Sequence, residues 1–354
     1  MANNTTNEVR ATAKYVRVAP RKARAVVGLI RNLPVAKALE VLQFNTRAVS
    51  EDISKVLRSA VANAVNNNGM RADDLYVKLA YVDEGPTLKR TWSVSDYAAC
   101  QDESHGYHVE QAVYIEVDMA HDERERENEL ACKMVSDPSC IYGAACISGD
   151  LDEPGFDEYI ERWAAHPQVR GLRQVLHVPS AAPGTCLKPE FLANVRKLGE
   201  LGLVFEGCVR CPELGDLVTV AKECPDTTIV LNHMGIVDAD IMGAENPTAD
   251  ERAYQDAWKR NMAQIGKLPN VVCKVSGLNP MKPWSTESLS RAVDVALDAF
   301  DADKVMFASN FPVLHVAMSL DEWICQMLKM TESFDAFDRE ALFAENARRV
   351  YGLK

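Results

Sequence analysis

The sequence predicts an α/β protein in two parts: a small α+β module over residues 1–90, then an incomplete (β/α)8 TIM-type barrel over 91–354. Three observations predict it. The charge changes sign between the parts, with 15 Lys and Arg against 8 Asp and Glu in residues 1–90, and 24 against 43 in the remainder. All 10 cysteines lie from Cys100 onward. From residue 111, seven short apolar, β-branched runs recur 25 to 43 residues apart, the length of a strand plus its returning helix.

The sign change implies a polyanionic partner for the first part and small molecules for the second. Irregularly spaced cysteines read as reduced thiols of a cytosolic enzyme. Cys208 and Cys211 have C-x-x-C spacing, but no second pair accompanies them as a zinc site would require. The opening MANNTTNEVR has no apolar core, so no targeting peptide is read. No apolar run approaches the roughly 18 residues of a membrane span. A cytoplasmic protein with no membrane partner is expected.

In the first part, KYVRVAP (14–20) reads as a strand and Ala23, Val26, Val27 and Ile30 form a helical stripe. Arg21, Lys22, Arg24 and Arg31 fall off that stripe. Ser50 is expected to cap a second helix, with Glu51 and Asp52 complementing its dipole. Its stripe is Ile53, Val56, Leu57, Ala60, Val61 and Ala64, and Asn66, Asn67, Asn68 and Gly69 end it. LYVKLAYVDEG then turns strand-like.

Three ordered runs, YVRVAPRKARAVVGLIRNLPVAKALEVLQF, KVLRSAVANAVNNNGM and LYVKLAYVDEGPTLKR, resemble the large-ribosomal-subunit protein twenty-two family over residues 8–90. The resemblance implies binding to large-subunit rRNA, with Arg17, Arg21, Lys22, Arg24, Lys89 and Arg90 on phosphates. Such contacts position a protein through counterion release and guanidinium–phosphate geometry. It also implies a long basic β-hairpin entering the exit tunnel. Here the hairpin lacks its tip and return strand, because TWSVSDYAACQDE follows PTLKR. That loss leaves a sheet edge unpaired.

The second part has candidate strands QAVYIEVD from Gln111, IYGAACIS from Ile141, VRGLRQVL from Val169 and LVFEGCV from Leu203. TIVLNHMG from Thr228, VVCKVSGL from Val271 and VMFASNFPV from Val305 complete the set. Continuous apolar strands are buried on both faces, as in parallel sheets. Seven units suit a barrel one strand short or an open doubly wound sheet. Polar residues at the strand ends favour the barrel, whose active site gathers there. They are Glu116 and Asp118, Arg173 and His177, Asn232 and His233, Lys274 and Ser276, and Ser309 and Asn310. The run HDERERENEL (121–130) reads as a solvated helix face.

The phrases AVYIEVD, VRGLRQVLH, LVFEGCV, TTIVLNHMG, PNVVCKVSGL, KVMFASNFPV and FAENARRVYGL resemble the amidohydrolase-related family over residues 91–354. The likeness is to its branch of metal-dependent lactone hydrolases typified by fuconolactonases. It implies attack of water on a lactone, ester or amide carbonyl. A divalent ion, zinc or similar, or a histidine cluster polarises that carbonyl. His233 would be the metal ligand or the electrophilic polariser, and Asn310 stands where most members carry the catalytic aspartate. Arg173 would hold an anionic or hydroxyl-rich substrate, with His177 beside it. Glu116 and Lys274 line the pocket or pair with each other as core charges.

The family opens with a His-x-His strand, two ligands on one face of a strand. None of the seven histidines, His105, His108, His121, His166, His177, His233 and His315, makes that spacing. The barrel therefore lacks its first strand, and LYVKLAYV is the run at hand to close it. No G-x-G-x-x-G, Walker loop, G-x-S-x-G or H-E-x-x-H competes. The expectation is an amidohydrolase-class hydrolase fused to an rRNA-binding module. The alternatives are a ribosomal constituent with a passenger barrel, or a chimera in which neither function survives, because each family loses the part nearest the Arg90–Thr91 seam.

Overall fold

The computed structural model describes residues 9, 11–13, 23, 26–78, 80, 88 and 91–354. The chain divides into two compact units, Met1–Arg90 and Thr91–Lys354.

In the first unit, Ala23, Val26, Val27 and Ile30 are all buried, as their spacing predicts. Two helices follow, α1 (Val35–Phe44) and α2 (Val49–Asn68). Ala23, Val26, Ile30, Ala38, Leu42, Val49 and Val77 form the core, with Ile53 and Leu57 packed against it. An antiparallel bridge joins Pro34 to Tyr76, flanked by Val77 N donating to Leu33 O at 2.8 Å. The first residues of LYVKLAYV thus tie down the entry to α1. Most of its remainder, and all of KYVRVAP, lie outside the described residues.

Ser50 does not cap α2. The helical turn begins before it: Ala48 already has helical backbone angles and Ser50 N donates to Arg47 O at 2.9 Å. The Ser50 hydroxyl is left buried, without a hydrogen-bond partner among the described residues. Glu51 and Asp52 sit in the first turn, and Gly69 closes the helix at φ 63°, where a glycine carries no Cβ penalty.

The second unit begins with α3 (Val94–Ala99), capped by Ser93 and Asp96 in a reciprocal pair of hydrogen bonds. Seven parallel strands follow in one sheet, ordered as in the chain: β1 (Ala112–Ile115), β2 (Tyr142–Ser148), β3 (Val169–Val175), β4 (Val204–Cys208), β5 (Ile229–Leu231), β6 (Val271–Val275) and β7 (Val305–Phe307). Each predicted strand is present. After β1 to β7 respectively come α4 (Arg124–Ser136), α5 (Phe156–Ala164), α6 (Pro189–Glu200), α7 (Leu214–Glu223), α8 (Ala249–Ile265), α9 (Thr286–Ala299) and α10 (Leu320–Met330). The last helix is α11 (Asn346–Tyr351). The sheet curls as a half-barrel, and among the described residues β1 and β7 do not pair.

Alternate residues of each strand face opposite sides. Phe205, Ile229, Leu231, Val271, Cys273 and Val275 face outward and join Phe191, Leu198, Leu217 and Trp258 of the helices in one core. Ala144, Cys146, Val204, Val230, Val272 and Met306 face inward against Tyr351 of α11.

The polar run 121–130 is not a purely solvated face. Glu127 and Asn128 are buried where α4 lies on the sheet. Glu127 accepts from Tyr114 OH at 2.9 Å and Val117 N at 2.7 Å, while Asn128 accepts from Ser148 N at 3.1 Å. Strand-end backbone groups supply the partners that water supplies elsewhere.

Residues 92–107 pack against the chain that follows β7. Trp92 stacks on His315 with ring centroids 4.9 Å apart, and Tyr97 meets Phe311 edge-on at 5.0 Å. Cys100 Sγ lies 3.6 Å from His315 Nε2, and Tyr107 OH donates to Asp321 at 2.8 Å. This segment, just before β1, packs on the chain just after β7. Among the described residues, none of LYVKLAYV joins the sheet. No described helix is long and apolar enough to cross a membrane.

Candidate active site

The inward face carries charge above its apolar layer. Glu206 on β4 is fully buried and accepts from Lys274 Nζ at 2.6 Å, Asn232 Nδ2 at 2.5 Å and Tyr351 OH at 2.5 Å. Glu116, just past β1, accepts from Arg173 Nε at 2.5 Å and Asp118 N at 2.7 Å. Arg173 also donates to the Glu116 carbonyl and, at 3.2 Å, to Asn232 Oδ1. A continuous path therefore runs from Glu116 through Arg173, Asn232 and Glu206 to Lys274. Two carboxylates balance two cations, the condition for keeping charges out of water. Burial pushes the Glu206 carboxyl up, but Lys274, Tyr351 and Asn232 together hold it below the usual range. Burial opposes the charge of Arg173, and Glu116 more than restores it.

His233 opens an unusual turn. His233, Met234, Gly235 and Ile236 all have left-handed backbone, with φ of 54°, 51°, 75° and 53°. Left-handed L-residues cost about 1–2 kcal/mol each. Full burial of Met234 and the Trp258 indole donating to Met234 O at 2.9 Å hold the turn. The ring of His233 rests with Nδ1 2.8 Å from Ser276 Oγ. Gly277 makes room: a Cβ there would stand 2.5 Å from His233 Cβ. Burial, then Arg173, Lys274 and His177, lower the His233 pKa to about 3, so the ring is neutral near pH 7. His177 stands exposed on the rim, with Nδ1 3.3 Å from Cys208 Sγ. Enclosure of part of its ring, then Arg173, lowers its pKa. Burial pushes the Cys208 thiol up to about 11.

Asn310 follows β7, half-buried, at φ 53°. Of the six non-glycine residues with left-handed backbone in the described chain, Asp118, His233, Met234, Ile236 and Asn310 all lie just past the ends of β1, β5 and β7. Strain concentrated at one end of a sheet makes that end the candidate functional one.

Glu116, Arg173, His177, His233 and Lys274 thus converge, joined by contact or by field. Asn310 shares no hydrogen bond with them among the described residues. Glu116 and Lys274 do not pair with each other, because Arg173 on β3 and Glu206 on β4 stand between their strands and take them separately. Sequence reasoning passed over Glu206 and Tyr351. The available signal was a lone glutamate at the inward parity of LVFEGCV. Among the described residues, no group of three metal-ligating side chains includes His233. The proposed phosphate contacts Arg17, Arg21, Lys22, Arg24, Lys89 and Arg90 lie outside the described residues.

Residues 80–353 match the amidohydrolase family. The chain belongs to the amidohydrolase family. Residues 11–113 match the ribosomal protein L22p/L17e family. Over 83 residues the chain is 58% identical to large ribosomal subunit protein uL22 of Halothermothrix orenii, covering 23% of this chain and 74% of that one. The N-terminal segment is thus of L22 type, and the two matches overlap over 80–113. On the amidohydrolase side, an uncharacterized protein of Sinorhizobium fredii is 29% identical over 222 residues, 60% of this chain and 70% of that one. An amidohydrolase from Burkholderia multivorans with bound HEPES superposes with a TM-score of 0.61 at 24% identity, covering 69% of this chain and 84% of its own, and has also been solved with bound zinc. Amidohydrolase 2 from Bifidobacterium longum subsp. infantis superposes with a TM-score of 0.55 at 28% identity, covering 76% and 90%.

Proposed function

We propose that the barrel unit hydrolyses a small lactone or amide bearing an anionic group, with the carbonyl polarised by neutral His233. The observation that carries the reading is that imidazole, kept unprotonated by burial and by Arg173, Lys274 and His177, and held against Ser276 at the end of β5. With the Ser276 hydroxyl donating to Nδ1, Nε2–H remains to donate to a carbonyl oxygen as negative charge develops there. His177, also neutral near pH 7, takes a proton from water as the water oxygen bonds to the carbonyl carbon. It returns that proton to the departing oxygen or nitrogen as the ring bond breaks. Arg173, fixed by Glu116, and Lys274, fixed by Glu206, draw in the anionic end of the substrate. Asn310 carries no charge; its amide orients the substrate.

Zinc or a similar divalent ion does not fit this mouth. Such an ion takes at least three protein ligands. His233 belongs to no such group among the described residues, and the positive charges of Arg173 and Lys274 that bear on its ring would also oppose a metal cation there. The test is acid release from sugar lactones and cyclic amides by the full chain. His233→Ala is expected to lower kcat/KM about 100-fold or more and to hold as much metal as the wild type. Undiminished turnover in the variant rejects the site, and metal lost together with His233 rejects metal-free polarisation.

A second reading rests on the 58% identity to uL22. Residues 1–90 bind large-subunit rRNA in the cytoplasm, with Arg17, Arg21, Lys22, Arg24, Lys89 and Arg90 on phosphates. Affinity then falls steeply with salt, in proportion to the phosphates neutralised. A chain that stays out of sedimented large subunits contradicts this reading.

A further inference from the structure

Among the described residues, two groups of three side chains combine histidine with carboxylate and share no member with the candidate active site, and the two differ in what already occupies them. In the first, His121, Asp150 and Glu153 share their space with Arg124, whose guanidinium pairs with Asp150 and lies 3.0 Å from His121 Nδ1. A cation is already there. In the second, His105 Nδ1 lies 2.9 Å from Asp321 Oδ1, and Cys325 Sγ lies 3.9 Å from the same oxygen. All three ligand atoms fall within 4.8 Å of one another. The charges acting on Cys325 there are those of Asp321 and Asp102, both negative.

We propose that His105, Asp321 and Cys325 form a zinc site that fastens the segment before β1 to helix α10. Asp321 and Cys325 are four residues apart on α10, so they stand on one face of the helix, and His105 meets them from the turn Glu103–His105. Thiolate, imidazole and carboxylate together form the borderline-soft donor set that selects zinc over magnesium or calcium. Three protein ligands leave a fourth position for water. Tyr107 OH donates to Asp321 Oδ1 at 2.8 Å and itself accepts from Asp102 N at 2.9 Å, which holds the carboxylate in orientation as metal-supporting groups do. On binding, Cys325 gives up its thiol proton and His105 any proton on Nδ1, so the site fills as pH rises. The consequence is structural: the metal bridges residues before β1 and residues after β7, the two sides that the half-barrel leaves unjoined.

The experiment uses the full chain, stripped with chelator and titrated with Zn(II) and with Co(II). Wild type is expected to retain about one zinc per chain, and the Co(II) form to show a thiolate charge-transfer band. Cys325→Ser and His105→Ala are each expected to weaken binding at least tenfold and to abolish or shift that band. Tyr107→Phe, acting through Asp321, is expected to weaken binding about tenfold and leave the band in place. His121→Ala is expected to change nothing. Where a variant fails to fold, alkylation of the wild type decides: zinc should protect Cys325 but not Cys140. Zinc retained undiminished by Cys325→Ser, a Co(II) complex without the thiolate band, no zinc uptake by wild type, or no protection of Cys325 each overturns the proposal.

Discussion

The two faces of the seven-stranded sheet are built from alternate residues of the same strands, yet they are filled by opposite chemistry. Outward from β4 and β6 stand Phe205, Val271, Cys273 and Val275, in a core with no charged member. Inward stand Val204, Glu206, Val272 and Lys274, so each strand carries an apolar residue low on that face and a charge above it. The outer face is held by area removed from water, which is tolerant of direction. The inner face is held by pairing, which is not. Both faces contribute to stability, and the inner one also sets a neutral histidine beside fixed charges.

Breaking either face should cost about the same, by different routes. Lys274→Ala leaves Glu206 buried without its counter-charge and is expected to destabilise the barrel unit by about 3–5 kcal/mol in denaturant unfolding. Phe205→Ala, which removes a fully buried ring packed 5.6 Å from Phe191, is expected to cost about 3–5 kcal/mol through the cavity left behind. A pH titration separates the two. His233 titrates at about 3 in the folded chain against 6.5 ordinarily, so the unfolded state takes up its proton first. Stability should therefore fall as pH drops from about 6.5 toward 3. The fall should be shallower in His233→Gln and unchanged by Phe205→Ala. The smallest effect lies in the other unit. Ser50→Ala removes a buried hydroxyl that has no partner among the described residues and is expected to stabilise the L22-type unit by about 1 kcal/mol, read from its thermal transition.

How much could be read in advance follows from range. The seven strands were legible because parallel strands buried on both faces are largely apolar, a signal contained in runs of seven to nine residues. Arg173, His177 and His233 could be singled out as candidates because each lies at or near the C-terminal end of such a run. Glu206 was not, because its partners Lys274 and Tyr351 lie 68 and 145 residues away. Nothing near Glu206 in the chain announces them. Ser50 misled for the opposite reason: its local pattern suits a cap, but the preceding turn was already helical.

Composition and pattern alone established the two parts, the parallel strands, the end of the sheet where polar residues gather and the absence of a His-x-His pair. Those properties are local, set by side-chain alternation and by which residue types occur at all. Folding settled which charges neutralise each other, which imidazole stays unprotonated, and that residues 92–107 pack on the chain after β7. Those outcomes depend on distances between residues far apart in the chain, and the burial that turns such distances into strong interactions exists only once the sheet has curled around them.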